Sequence, residues 1–329
     1  MDLSVFFAGT AGSVPTARRG LPALLIRRGG DRILFDCGEG TQRQLIRSVG
    51  LTDLTDVFIT HFHADHWLGL PGLLKTFDLR DRERPLTVHG PRRLRELMGA
   101  MVRAAGRIHF PLELVELEPD EAVRRDGYVI ACFEVEHRSP AYGYALVEDP
   151  RPGRFDAQLA AQLGVTEGPD FGRLQRGETV GGVTPSQVMG EPRLGRKVVY
   201  SGDSAPCKML SIAAHEADVL VHEATFGEEE TQRAHETGHS TARQAAELAR
   251  DARVGMLALT HLSTRYFGRE IRDQAREVFP GTIVPRDFDT IEIPFPERGA
   301  PELIHWEEMR ARADAATELA PADPSAPRC

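Results

Sequence analysis

Four apolar segments of this chain each run almost directly into a side chain that can bind a metal. Residues 56–60 lead to His61, 129–135 to His137, Lys197–Tyr200 to Asp203, and 256–259 to His261. Segments of this length and composition, bounded by polar or glycine-rich stretches, read as strands. Side chains at the ends of several strands meet along one edge of a layered α/β sheet, which is where such folds build their sites. A fold is therefore required in which strand ends from the whole length of the chain converge.

The first junction, His61-Phe62-His63-Ala64-Asp65-His66, is the densest, with three of the chain's 12 histidines. Imidazole nitrogens and carboxylate oxygens are the ligands zinc takes where a position must stay open to water. His61 and His63 alternate as if continuing the strand, which sends both imidazoles to one side. Asp65 and His66 fall where the chain turns, within reach of a second ion. Two ions use up the remaining candidates: His61, His63 and His137 on one, Asp65, His66 and His261 on the other, and Asp203 bridging both. Ions about 3.5–4 Å apart activate a bridging water and clamp the attacking and leaving oxygens of a displacement.

Three further residues stand at informative positions. Asp36 ends a strand and either caps the next helix or orients a ligand histidine from behind, the second being the better fit. Glu223 ends the strand at residues 219–221 through His222, and His239 precedes Ser240-Thr241, a good helix start. The two form a candidate proton relay, with packing and capping as the simpler alternative.

At 329 residues, 41% hydrophobic and 27% charged, the chain is globular and can form one large domain or two ordinary ones. It has no apolar run of membrane-spanning length, and Met1-Asp2-Leu3-Ser4 lacks the regions of a signal peptide, so a cytoplasmic protein is expected. Cys37, Cys132, Cys207 and Cys329 have neither paired nor CxxC spacing, which suits free thiols in a reducing compartment. The net charge of −9 counts against generic nucleic-acid binding. Yet Arg18, Arg19, Arg27 and Arg28 cluster early, and Arg80, Arg82, Arg84, Arg92, Arg93 and Arg95 follow the histidine run. Each group reads either as solvated surface or as a basic patch that steers a polyanion.

Other strands are expected at residues 3–8, 23–27, 32–37, 142–147 and 282–284, and helices at 41–49, 94–105, 241–250 and 269–279. Residues 148–196 differ. Rich in Gly, Pro and Arg, with one short helical patch at 155–163 and no evident core pattern, they read as a functional insertion or a disordered loop. Residues 313–329, rich in Ala, Pro and Asp, read as a mobile tail, leaving 1–312 as the domain that carries the insertion.

The run at residues 61–66 resembles the signature of the metallo-β-lactamase superfamily, and its companions narrow the resemblance to the ribonuclease Z family of tRNA 3′-processing endonucleases. Phe35-Asp36-Cys37-Gly38-Glu39-Gly40-Thr41-Gln42, Gly202-Asp203-Ser204, His222-Glu223-Ala224-Thr225-Phe226, His239-Ser240-Thr241 and Thr260-His261-Leu262-Ser263-Thr264-Arg265-Tyr266 are similar to that family's motifs, in its order. The likeness spans roughly residues 3–294. It implies a four-layer αββα sandwich, a homodimer, and two zinc ions per subunit on the ligands named above. Asp65 would accept a proton as well as bind metal, and Glu223 with His239 would protonate the departing 3′ oxygen.

The insertion is similar to the family's protruding arm, which grips the tRNA elbow. Gly164-Val165-Thr166-Glu167-Gly168-Pro169 and Phe171-Gly172-Arg173-Leu174 resemble the arm's Gly-Pro segment, and one subunit's arm would hold tRNA for the other's site. The implied reaction removes the 3′ trailer from precursor tRNA by metal-hydroxide attack, leaving a tRNA 3′-hydroxyl and a trailer 5′-phosphate. The same ligands would also serve a hydrolase of small esters, lactones or cyclic nucleotides. A non-catalytic RNA- or metal-binding protein is a third reading, against which the full ligand set argues. The loop Pro15-Thr16-Ala17-Arg18-Arg19-Gly20 lacks the lysine and asparagine that many members carry, with Arg18 as an electrostatic substitute.

Overall fold

The computed structural model describes residues 2–311. Its strands, in chain order, are β1 (Leu3–Gly9), β2 (Ala23–Arg28), β3 (Asp31–Phe35), β4 (Asp56–Phe58), β5 (Leu86–Gly90), β6 (Leu112–Glu116), β7 (Ala122–Arg125), β8 (Tyr128–Glu134), β9 (Tyr142–Glu148), β10 (Lys197–Tyr200), β11 (Val219–Glu223), β12 (Met256–Thr260), β13 (Thr282–Ile283), β14 (Thr290–Glu292) and β15 (Glu302–Ile304). One sheet runs β15-β14-β1-β2-β3-β4-β5-β6 and the other β13-β12-β11-β10-β9-β8-β7.

Alternation along each strand sorts its side chains between layers. In β1, Val5 and Phe7 enter the core between the sheets, while Phe6 and Ala8 face the outer helices. In β11, Val219 and Val221 point inward and Leu220 outward. Helices Thr41–Arg47, Leu70–Leu79 and Leu94–Ala105 cover the first sheet through Leu45, Leu73 and Met98. Helices Lys208–Ala214, Ala242–Asp251 and Gly268–Arg276 cover the second through Leu210, Ala245 and Ile271. Each large side chain buried this way contributes roughly 1.5–3 kcal/mol of transfer free energy. The result is the expected αββα sandwich. Strands β3 to β6 are parallel, as are β10 to β13, and β8 runs with β10 because both are antiparallel to β9.

Two local expectations change. The strand expected at 56–60 ends at Phe58, so His61 and His63 do not continue it. Beyond Phe58 the Thr60 N–H is taken by the Asp36 carboxylate at 2.8 Å, and the Thr60 carbonyl by Tyr142 N–H of the other sheet at 3.0 Å. The chain thus leaves its ladder to bridge the sheets, and His63 becomes the residue before a short helix, Ala64–Trp67. Residues 149–196 also have a core of their own. Helices Ala157–Gln162, Pro169–Gln175 and Pro185–Val188 enclose Ala160, Val165, Leu174, Val180, Val183 and Val188, with Phe155 and Phe171 packed against them. These residues are spaced for several short pieces, so no single period betrays them.

Cys37 and Cys132 are buried, Cys207 is half-buried, and all three are free thiols. The expected tail at 313–329, including Cys329, lies outside the described residues. No helix among the described residues is long and apolar enough to cross a membrane.

Candidate metal centre

The parallel strand ends deliver Asp36, His61, His137, Asp203, Glu223 and His261 to one edge of the sandwich. Four of the histidines there are held by Nδ1. That atom lies 3.0 Å from Thr60 Oγ1 in His61, 2.7 Å from Asp36 Oδ2 in His66, 2.7 Å from the Gly238 carbonyl in His137, and 2.8 Å from Thr225 Oγ1 in His261. Fixing Nδ1 orients each ring and turns Nε2 toward a shared space. His63, exposed at the mouth, places its Nδ1 3.3 Å from His137 Nε2.

Asp203 sits between the two groups. Its Oδ2 is 3.8 Å from His61 Nε2, and its Oδ1 is 3.3 Å from both His66 Nε2 and His261 Nε2. Asp65 Oδ2 is 3.3 Å from His261 Nε2 and 3.7 Å from His66 Nε2. The donor atoms of His61, His63, His137 and Asp203 lie within 4.8 Å of one another, as do those of Asp65, His66 and His261. The fold thus brings these seven residues together, Asp203 grouping with His61, His63 and His137. His222 stands apart: its Nδ1 is 2.7 Å from the Glu223 carbonyl, and it joins no metal-capable group among the described residues.

The residues fit a cation. His61 Nε2, His66 Nε2 and Asp203 Oδ1 are buried without a hydrogen-bond partner. An unsatisfied buried polar atom costs roughly 1–3 kcal/mol, a penalty that metal coordination removes. Charge states agree with this. Burial, reinforced by His66, holds His61 well below the ordinary imidazole range, and burial with His137 lowers His63. Both therefore offer lone pairs. In His66 burial pulls down, but Asp203 and Asp36 outweigh it and raise its pKa well above the ordinary imidazole range. A field that captures a proton in a dry site also favours a metal cation. Burial opposes ionisation of Asp203 and Asp65 too, yet His261 and His66 keep both carboxylates charged.

Backbone strain accompanies the arrangement. Asp36 and His261 both have φ near 56°, the left-handed region that costs a non-glycine residue about 1 kcal/mol or more. Gly12 permits a close approach, since a Cβ there would lie 2.5 Å from His261 Nδ1. The next residue, Ser13, donates its N–H to Asp65 Oδ2 at 2.8 Å.

Asp36 does not cap the helix after it, Thr41–Arg47, whose N-cap is Gly40 with no side-chain cap. It accepts from Thr60 N–H and Tyr200 OH, at 2.8 and 2.9 Å, while holding His66. Asp36→Asn should therefore weaken metal affinity about 10- to 100-fold. Competition against a chromophoric chelator measures this, and an unchanged affinity would refute the orienting role.

The second expected constellation is also assembled. His239 Nδ1 is 2.7 Å from Oε1 of Glu223, whose other oxygen accepts from Thr225 N–H and Oγ1 at 3.0 and 2.6 Å. Thr241 caps helix Ala242–Asp251 in a reciprocal box with Gln244, which sets the backbone just after His239. Burial lowers the His239 pKa, but the Glu223 carboxylate, with Asp203, overrides it and lifts the ring to about 9. His239 therefore carries a proton at neutral pH, and its side chain is 12% exposed.

Sequence reasoning missed Thr60, Tyr200, Thr225 and the Gly238 carbonyl. All lie within three positions of singled-out residues, but most also serve partners far off in sequence: Tyr200 serves Asp36 across 164 positions. The arginine clusters divide. Arg28 is buried on Glu148, Arg27 is half-buried, and Arg19 bonds Thr10 and the Pro285 carbonyl, leaving Arg18 exposed. In the second group Arg82 and Arg84 pair with Asp53, Arg92 with Glu118, and Arg93 with Glu96.

A beta-lactamase superfamily domain model matches residues 31–262. The metallo-beta-lactamase fold protein YhfI of Bacillus subtilis, 20% identical, has the same fold, with a TM-score of 0.67 over 89% of this chain and 100% of that one. Fold and site together define a hydrolase of the metallo-β-lactamase class. Ribonuclease Z of Gemmatimonas aurantiaca is 48% identical over 307 residues, covering 90% of this chain and 98% of that protein. Ribonuclease Z of Haloferax volcanii is 47% identical over 305 residues, covering 90% and 96%. The short form of human tRNase Z is 28% identical, with a TM-score of 0.67 over 88% of this chain and 99% of that one. This chain belongs to the ribonuclease Z family and is an endoribonuclease.

Proposed function

We propose that the enzyme removes the 3′ trailer from precursor tRNA, leaving a tRNA 3′-hydroxyl and a trailer 5′-phosphate. The observation that carries this reading is a charged His239–Glu223 pair, 2.7 Å apart, opening onto the seven-residue cluster. His61, His63 and His137 would hold one zinc ion, Asp65, His66 and His261 the other, with Asp203 shared. Bound there, zinc supplies an activated water and offsets charge on the phosphoryl oxygens. Asp65, steadied by Ser13 N–H, orients the attacking water and accepts its proton. His239 donates a proton to the leaving 3′ oxygen, a poor leaving group without one, and Glu223 keeps the donor charged and aimed.

Residues 149–196 serve as the arm that holds tRNA away from the cut, an assignment supported by their separate core. The reading includes a homodimer in which each arm serves the partner's centre. Incubation with a 3′-extended precursor tRNA, with and without chelator, tests it. The expected products end in a 3′-hydroxyl at the discriminator base and a 5′-phosphate on the trailer, are lost with chelator, and return with zinc. Cleavage that survives chelation, or a 2′,3′-cyclic phosphate end, would overturn it.

A further inference from the structure

The root of the insertion is built more specifically than a surface connection needs. Its two backbone segments pair antiparallel, Arg151 N–H donating to the Arg193 carbonyl at 2.7 Å and Arg193 N–H to the Arg151 carbonyl at 2.9 Å. A second bridge joins Phe155 and Met189 further out. On the body side, Arg196 is 1% exposed, bonds both oxygens of Glu148 at 2.7 and 2.8 Å, and donates to the Ile293 carbonyl at 2.8 Å.

The segment leaving β14 then grips the stalk itself. Glu297 takes Arg151 with both oxygens, at 2.7 and 3.0 Å, and Arg193 at 2.8 Å. The guanidiniums of Arg151 and Arg196 lie over the Phe295 ring, 3.7 and 4.0 Å from its centroid. A lone exposed ion pair contributes little. A bidentate carboxylate shared by two arginines, one of them also over an aromatic ring, is directional. Bonds from Arg151 hold the Glu297 carboxyl down at about 2, so it stays charged at any working pH.

The insertion's core is separate from the three cores of the body, so its angle to the body depends on this root. We infer that Glu297 and Phe295 form a latch that fixes that angle, and thereby set how precursor tRNA held by the arm reaches a metal centre. They are positioning residues for the proposed reaction. The inference rests on the reading of the insertion as a tRNA-holding arm. Two contacts on one ligand reinforce each other only while their geometry is held, and a loosened root lowers the effective concentration of the second contact.

The test uses the full chain and two substrates: 3′-extended precursor tRNA, and a 3′-extended acceptor-stem minihelix that lacks the elbow. Wild type should show the lower KM on precursor tRNA. Glu297→Ala and Phe295→Leu should raise that KM about tenfold, leave kcat within about twofold, and leave the minihelix unaffected. Phe295→Tyr, which keeps the ring face, should behave as wild type. Amide hydrogen exchange at Arg151 and Arg193 should quicken in Glu297→Ala. An unchanged precursor KM in both latch variants, with the wild-type preference intact, overturns the latch and leaves the arm reading standing. Absence of that preference in wild type overturns the arm reading itself. Equal losses on both substrates mark a folding defect, and the latch falls.

Discussion

Asp203→Ala should abolish hydrolysis of both precursor tRNA and an activated nitrophenyl phosphodiester, lowering kcat/KM at least about 10⁴-fold, or roughly 5 kcal/mol of transition-state stabilisation. No other carboxylate in the cluster faces both halves, since one oxygen looks toward His61 and the other toward His66 and His261. Asp203 itself is 2% exposed. Loss of Asp203 takes the facing carboxylate from His61 Nε2 and leaves His66 Nε2 and His261 Nε2 with Asp65 alone. Metal content should fall with activity, which elemental analysis of the purified variant measures beside the kinetics. A variant that keeps a full metal complement and activity within tenfold of wild type would remove Asp203 from the bridging position.

His239→Ala should divide the two substrates instead. Loss of a general acid costs about 10²- to 10⁴-fold where the leaving group needs a proton. The 3′ oxygen of RNA needs one and a nitrophenolate does not, so cleavage of precursor tRNA should collapse while the activated diester stays within a few fold. The split also decides a rival role. His239 stands with Asp203 and His261 in a third group of donor atoms within 4.8 Å of one another, so it has the geometry of a ligand as well. Loss of a ligand would slow both substrates together and lower metal content. The bond to Glu223 at 2.7 Å and the pKa near 9 favour the acid.

The positions that meet at the site were legible in the sequence because each ends a strand, precedes a helix start or lies in one dense run. Strand ends are where an α/β sheet exposes side chains, so their meeting followed from topology without any distances. The short edge strands β6 and β7 escaped notice because each has one face half-exposed and so lacks a clear apolar alternation. The core of the insertion escaped because its apolar residues are split between three helices of four to seven residues and the turns between them. Arg28 and Arg18 look alike in a basic cluster, yet Arg28 is buried against Glu148, 120 positions away. Charge counted along a chain says nothing about which charges are already paired.

The sequence by itself determined the kinds of donor atoms that strand ends bring to this edge: imidazole nitrogens and carboxylates suited to a hydrolytic metal centre. Only the tertiary structure decided which nitrogen each histidine presents, because Asp36, Thr225 and Gly238 hold their rings from 30, 36 and 101 positions away. It also decided the electrostatics, lowering the pKa of His61 and raising those of His66 and His239, since burial and opposed carboxylates set these and both arise only when the two sheets close. The same closure carries Glu297 onto Arg151 across 146 positions and ties the insertion to the body.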